Sequence, residues 1–236
     1  MYRSRAFAAG IILSLLLSAS IGMSAAPTGQ KGGSPKGAAK IEDSIRVLDE
    51  MMKEADKSIP LDLFKRCTGI AIIPDVLKAA YVVGGSHGTG LLLVRREGRW
   101  SDPVFINITS GSIGWQLGVQ STDVILLFMT PRGIDNITNG KFTMGADVGV
   151  AVGPVGRNAQ AGTDASMKAE IYSYSRSRGL YAGLSFQGAA LQVDRTDNEK
   201  FYGREGLGAQ DVFDGKAGRA PEIVVRLKQA LARYAE

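Results

Sequence analysis

Two stretches of this 236-residue chain alternate strictly between bulky apolar residues and small or polar ones, and no other feature restricts its fold so tightly. In the first, Ile113, Trp115, Leu117 and Val119 fall on one side and Ser112, Gly114, Gln116, Gly118 and Gln120 on the other. In the second, Phe142, Met144, Ala146, Val148, Val150 and Val152 oppose Thr143, Gly145, Asp147, Gly149, Ala151 and Gly153. A period of two is that of a β-strand. Glycine inside a strand forfeits side-chain packing, so its repetition on one face marks sharp curvature or the close approach of another backbone. The pattern predicts a strongly curved or barrel-like antiparallel sheet.

Other segments fit around such a sheet. Thr122 to Met129 is apolar on both faces, as a central strand covered on each side must be. Gly69-Ile-Ala-Ile-Ile73, ending before Pro74, reads as a buried strand. Leu91 to Val94 and Val104 to Ile108 form a hairpin pattern around Glu97-Gly98, and Glu170 to Ser175 with Leu180 to Phe186 form another around Arg176-Ser-Arg-Gly179. Ile41, Ile45, Leu48, Met52 and Ala55 recur at helical spacing, Pro60 suits the start of a short second helix, and Pro221 to Tyr234 carries a further amphipathic stripe. Helices at both ends with strands between them give an α+β domain.

The N-terminus reads as a secretory signal over residues 1–26: Arg3 and Arg5, then the apolar run Gly10-Ile-Ile-Leu-Ser-Leu-Leu-Leu17, then small residues. The apolar part is shorter than the roughly 20 residues of a membrane-spanning helix, so cleavage and an exported, periplasmic or envelope-associated product are expected. Residues 27–39, rich in Gly, Ser, Pro and Lys, read as a flexible linker, with one domain over 40–236. The single cysteine, Cys67, excludes an internal disulfide. The formal charge of +5 includes Arg3 and Arg5, leaving a mild excess that argues against bulk nucleic-acid binding.

No catalytic constellation survives inspection. His87 is the only histidine and adjoins Ser86 within Gly84-Gly-Ser-His-Gly-Thr-Gly90, but neighbours in a strand point apart, and the expected role of His87 is a turn residue. The glycines lack the Gly-Lys-Ser or Gly-Lys-Thr ending of a phosphate loop. Asp123, Asp147 and Asp164 have the chemistry of cation ligands without the spacing of a ligand loop. Cys67, preceding a buried strand, reads as a small core residue, although Lys65-Arg66 beside it would favour a thiolate. Neither cofactor nor metal is expected. Basic residues with aromatic neighbours are the remaining candidates for a site: Arg95, Arg96 and Arg99 with Trp100, and Arg176 and Arg178 near Tyr172, Tyr174 and Tyr181. Such clusters suit an anionic lipid surface, and suit equally the ordinary solubilisation of hairpin tips.

The stretch from about Ile59 to Gly203 resembles the SYLF domain family. The residues that carry the resemblance are Gly69-Ile-Ala-Ile-Ile-Pro74, Gly84-Gly85 with Gly88-Thr-Gly90, Gly111-Ser-Ile-Gly-Trp-Gln-Leu-Gly-Val-Gln-Ser-Thr-Asp-Val124, Gly140-Lys-Phe-Thr-Met-Gly-Ala-Asp147, Gly153-Pro-Val-Gly-Arg157 with Gly162-Thr-Asp164, and Ser173-Tyr-Ser-Arg-Ser-Arg-Gly-Leu180. The resemblance implies a module that binds membranes, notably acidic phospholipid; together with the bare glycine-lined faces of the strands, it leads to two expectations, docking at a membrane surface or an acyl chain held inside the curved sheet. Some eukaryotic members also bundle actin, an activity not carried over to an exported protein. The lipid contact of eukaryotic members involves an N-terminal amphipathic helix, whose counterpart here is Ala38 to Ser58. That helix is net acidic, a weak anchor for anionic lipid, and its stripe could equally pack on the sheet. The alternative to lipid is an envelope scaffold that self-associates or binds a protein through a sheet edge or that helix.

Overall fold

A computed structural model describes residues 33–53, 58–80, 83–113, 118–140, 142–155, 169–177, 180, 181, 186 and 188–235. The signal region, Arg178, Asp164 and residues 114–117 lie outside these. Among the described residues the chain runs α1 (Pro35–Met52), α2 (Leu61–Arg66), β1 (Gly69–Ala80), β2 (Val83–Arg96), β3 (Arg99–Trp100), β4 (Val104–Ile113), β5 (Gly118–Phe128), α3 (Pro131–Thr138), β6 (Val150–Val152), β7 (Ile171–Ser177), β8 (Leu180–Tyr181), β9 (Ala190–Val193), α4 (Arg195–Tyr202), α5 (Ala209–Phe213) and α6 (Glu222–Ala235).

The strands form one sheet in the order β6-β7-β5-β1-β2-β4-β9, with β3 extending β2 and β8 extending β7, curled into a half-barrel with helices at both ends. The expected α+β class stands. Among the described strands every pairing is antiparallel except β6 with β7, which makes the sheet mixed. The alternation of residues sorts them into two cores. Ala71, Ile73, Leu92, Val94, Val124 and Leu126 face one core, closed by α3, α5 and residues 142–148. Ile70, Ile72, Leu91, Leu93, Ile125 and Leu127 face the other, beneath α1, α2 and α6. β5 is therefore covered on both sides, as its sequence predicts.

Curvature has two local causes. On the first face, a Cβ at Gly90 would meet the Ile72 carbonyl oxygen and lie 2.8 Å from Ile73 Cα, and one at Gly88 would meet Val76 at 2.9 Å, so only glycine allows these backbones to close up. In β1 the strand does not stop before Pro74, as expected from a residue without an N–H. It continues through a bulge between Ile73 and Val76, where Asp75 takes a left-handed φ of 54° and its N–H leaves the ladder for Asp123 Oδ1 at 3.1 Å.

The two alternating stretches resolve differently from expectation. The first belongs to two strands: β4 ends at Ile113 beside Val83, and β5 begins at Gly118 beside Ala80, so the chain passes from one flank of the β1–β2 hairpin to the other. The second is strand only at Val150–Val152. Gly145 adopts φ +85° and the Asp147 carboxylate accepts the Thr143 N–H at 2.7 Å, folding the segment into a turn. Phe142, Met144 and Val148 are nonetheless buried, because the turn inserts the same alternate residues into the first core. The helix at the N-terminus also starts earlier than expected, inside the segment read as linker. Ser34 caps it, its hydroxyl accepting Gly37 N–H at 3.2 Å, with Pro35 in the first turn.

Candidate functional site

The turn that joins β2 to β3 is built by Glu97 and Gly98, both at positive φ (50° and 76°), the conformation of a tight two-residue hairpin. It presents four of the six candidate residues together, Arg95 opposite Trp100 and Arg96 opposite Arg99. Their environments differ. Arg95 is committed to the fold: its guanidinium donates to the Lys65 carbonyl at 2.6 Å and the Ala235 carbonyl at 3.4 Å, and lies 5.9 Å from the Trp100 ring centre. Trp100 is buried, edge-on to Phe64 at 6.1 Å, so it does not project as an interfacial aromatic.

Arg96 donates to Asp214 Oδ1 at 2.6 Å, and Asp214 also accepts from Gln210 at 2.9 Å and Lys216 at 3.1 Å. The Arg96 hydrogen bond, then those of Lys216 and Gln210, hold the Asp214 carboxyl below its usual range. Arg99 is 85% exposed, its nearest carboxylate being Glu97 at 3.7 Å. Beneath the turn lies an open cleft of about 440 Å³ with Val94, Trp100 and Phe213 as apolar lining and Arg96, Arg99, Glu97 and Asp214 as charged lining. Phe213 and Asp214 come from the region of α5, more than a hundred residues away in sequence, and no local pattern announces them.

Arg176 does not join this group. It lies on β7 opposite Asp123, five residues along β5 from Phe128 at the Arg95 end of the sheet, a separation on the order of 17 Å. Its side chain is only 18% exposed and forms an ion pair with Glu50 of α1. Helix α1 itself turns its stripe inward: Ile41, Val47, Leu48 and Met51 are fully buried. Ion pairs Glu42–Arg226 (2.6 Å) and Asp49–Arg233 (3.2 Å) tie it to α6.

The other candidates disperse. His87 is a strand residue, not a turn residue. It stands exposed on one face of β2, and Ser86 points to the other, where its hydroxyl lies 2.5 Å from that of Ser110. Asp123 receives the Asp75 N–H on β5, while Asp147 closes its own turn. Burial, followed by the Asp75 charge, raises the Asp123 carboxyl against the opposing pull of that hydrogen bond. Among the described residues no group of three or more His, Cys, Asp and Glu is arranged to hold a metal, and no helix is long and apolar enough to cross a membrane. Cys67 is buried, its thiol donating to the Phe64 carbonyl at 3.1 Å, and burial pushes it up to about 12.

Comparison with known proteins places this architecture. The family model described as Las17-binding protein actin regulator, Ysc84, matches residues 109–234, more than half of the chain. The chain belongs to the Ysc84 family. The SYLF motifs are thereby accounted for. Among curated Ysc84-family relatives, LAS seventeen-binding protein 3 of Saccharomyces cerevisiae is 35% identical over 192 residues, covering 80% of this chain and 41% of the relative. SH3 domain-containing YSC84-like protein 1 of Xenopus laevis is 34% identical over 169 residues, 71% of this chain and 50% of the relative. Protein YSC84 of Saccharomyces cerevisiae is 37% identical over 172 residues, 71% and 36% respectively. The chain thus spans about half or less of the length of these Ysc84 relatives.

Proposed function

We propose that this Ysc84-family chain is a non-catalytic binding module, exported by its N-terminal leader, that docks on anionic phospholipid through the cleft at the β2–β3 turn. The observation that carries the reading is the cleft itself, where Arg96 and Arg99 stand beside the apolar lining of Val94, Trp100 and Phe213. The rim charges balance, Arg96 against Asp214 and Arg99 against Glu97, so an anionic head group would bind by drawing the arginines, the exposed Arg99 first, away from those carboxylates, with the apolar lining beneath the first carbons of its chain. Surface docking is favoured over an internal acyl site. The space beside Gly88 and Gly90 is taken by Ile73 and Val76, and that beside Gly153 by the Tyr174 ring. Docking through α1 is disfavoured, since its apolar stripe is spent on the second core.

Co-sedimentation with phosphatidylcholine vesicles, with and without phosphatidylglycerol, tests the reading. Binding only to the anionic vesicles is expected, and its weakening by Arg96→Ala with Arg99→Ala assigns it to the cleft. Absence of binding to every vesicle rejects it.

A second reading, a protein-binding or scaffolding role, has its own support. The family description and the yeast relative's name both specify a protein partner, Las17. Among the described residues strand β6 lies at the sheet edge, with its last residue, Val152, 51% exposed and Val155 beyond it 41% exposed. A concentration-dependent mass in solution without lipid binding would favour this reading.

A further inference from the structure

Beyond the bulge in β1, the face of the sheet that carries the first core changes character. The last residues of that core there are Val76, Ile108 and Val124, with Gly88 between the strands. One step further out, the register aligns Ser110, Ser86, Lys78 and Gln120 across β4, β2, β1 and β5. Ser177 of β7 completes the row by accepting from Gln120 at 2.9 Å. All five fall on the same face by alternation from Ile108, Leu92, Val124 and Ile171 and, past the bulge in β1, from Val76.

The donor inventory of this row is unusual. A serine hydroxyl has one proton to give. Ser86 and Ser110 lie 2.5 Å apart and share one of their two protons, leaving the other to donate outward. Ser177 gives its proton to the Ser121 carbonyl at 3.3 Å and accepts from Gln120 and Thr122. Gln120 retains its second N–H. Lys78, half-buried between Ser86 and Gln120, forms no ion pair among the described residues and brings three N–H donors and a full positive charge. The row contains no carboxylate. Adjacent strands lie about 4.8 Å apart, so the backbone positions of Ser86 and Gln120 flank that of Lys78 on both sides, and the three side chains leave the sheet from one face.

We propose that this row is a binding site for a terminal phosphate group, either free phosphate or a phosphomonoester lipid head group. Lys78 supplies the charge, while the Ser86–Ser110 pair and Gln120 supply directional hydrogen bonds to separate oxygens. A terminal phosphate offers three such oxygens, and charge-assisted bonds to it are stronger than neutral ones. The site is independent of the cleft at the β2–β3 turn, since it lies at the opposite end of β2.

Amide chemical-shift titration of the full chain with inorganic phosphate tests the free form. Co-sedimentation with phosphatidic acid vesicles, compared with phosphatidylglycerol vesicles of matched charge, tests the lipid form. The expected result is saturable shifts at Lys78, Ser86, Ser110 and Gln120, or a preference for phosphatidic acid, with either response weakened about tenfold or more in Lys78→Gln. The Ser86→Ala, Ser110→Ala double variant, which keeps Lys78, should weaken the same response by a smaller factor. Arg96→Ala with Arg99→Ala should lower binding to phosphatidic acid and phosphatidylglycerol vesicles by the same factor while the phosphate-induced shifts persist, which separates this site from the docking cleft. Silence in both titrations, or responses equal in wild type and in a Lys78→Gln protein with unaltered melting temperature, overturns the proposal.

Discussion

The side-chain amide of Asn198 pairs with the backbone of Phe105 at both ends: it accepts the Phe105 N–H at 3.0 Å and donates to the Phe105 carbonyl at 3.0 Å. Asn198 is buried in α4, and Phe105 sits in β4 just beyond its ladder with β9, so a helix side chain serves as one more residue of the edge strand. Asn198→Ala leaves the Phe105 N–H buried without a partner. A loss of about 1–3 kcal/mol in unfolding free energy is expected, read from chemical denaturation.

Gly90→Ala should be more costly than its size implies. The added methyl would press on the Ile72 carbonyl and Ile73 Cα, which are backbone and cannot rotate aside. Overpacking of this kind costs about 1–3 kcal/mol. Gly111→Ala, where nothing lies within 4 Å of the new methyl, is the control and should melt near the wild-type temperature.

The Cys67 thiol should be inert in the native protein. Burial raises it from 9.0 to about 12, so little thiolate exists at pH 8, and labelling by a disulfide reagent should proceed only as fast as the protein opens. The sign for stability follows. A thiol whose folded value lies above its unfolded one contributes stability in full below pH 9, and this is lost as pH rises from 9 towards 12. Denaturation at pH 8 and pH 10 should show a smaller alkaline loss for Cys67→Ala than for wild type.

Two ion pairs on α1 should have unequal weight. Glu42 and Arg226 are both more than half exposed, and such pairs contribute about 0–1 kcal/mol. Glu50 pairs with Arg176, whose side chain is largely covered by the sheet and helix. Glu50→Gln leaves that guanidinium poorly solvated, so it should lower the melting temperature clearly more than Glu42→Gln, and the difference should survive in high salt.

The arginines of the β2–β3 turn should separate by assay. Arg95→Ala removes the bridge to Lys65 and Ala235 and should lower thermal stability. Arg99→Ala should leave stability unchanged and reduce vesicle binding, more so at low ionic strength.

The ease of reading these elements from sequence follows from how local their causes are. β5 is legible because its neighbours on both faces are apolar, and α6 because Leu227 and Leu231 sit one turn apart on a single face. Residues 142–152 mislead because burial of alternate residues is common to a strand and to this turn. Only the left-handed backbone at Gly145 and the Asp147 bond distinguish them. The early start of α1 was signalled by Ser34 and Pro35, but its small residues hide a packing demand: a Cβ at Gly37 would strike the Phe201 ring, 164 residues ahead. At the site, a cluster of arginines and a tryptophan is visible in the sequence. Which arginine is free is not, because Arg95 and Arg96 are engaged by the C-terminal helix and by Asp214 through contacts more than a hundred residues long.

The placing of β4 and β5 on opposite flanks of the β1–β2 hairpin also governs the order in which the molecule can be assembled. β1 and β2 are neighbours in sequence, yet each acquires its outer partner only when β4 and then β5 have been made. During synthesis Ile70, Ile72, Leu91 and Leu93 emerge as a hairpin with both edges bare, an invitation to pair with another nascent chain. Once β5 and β4 have docked, the same hairpin has no edge left, and its amides should be the last in the protein to exchange with solvent deuterium.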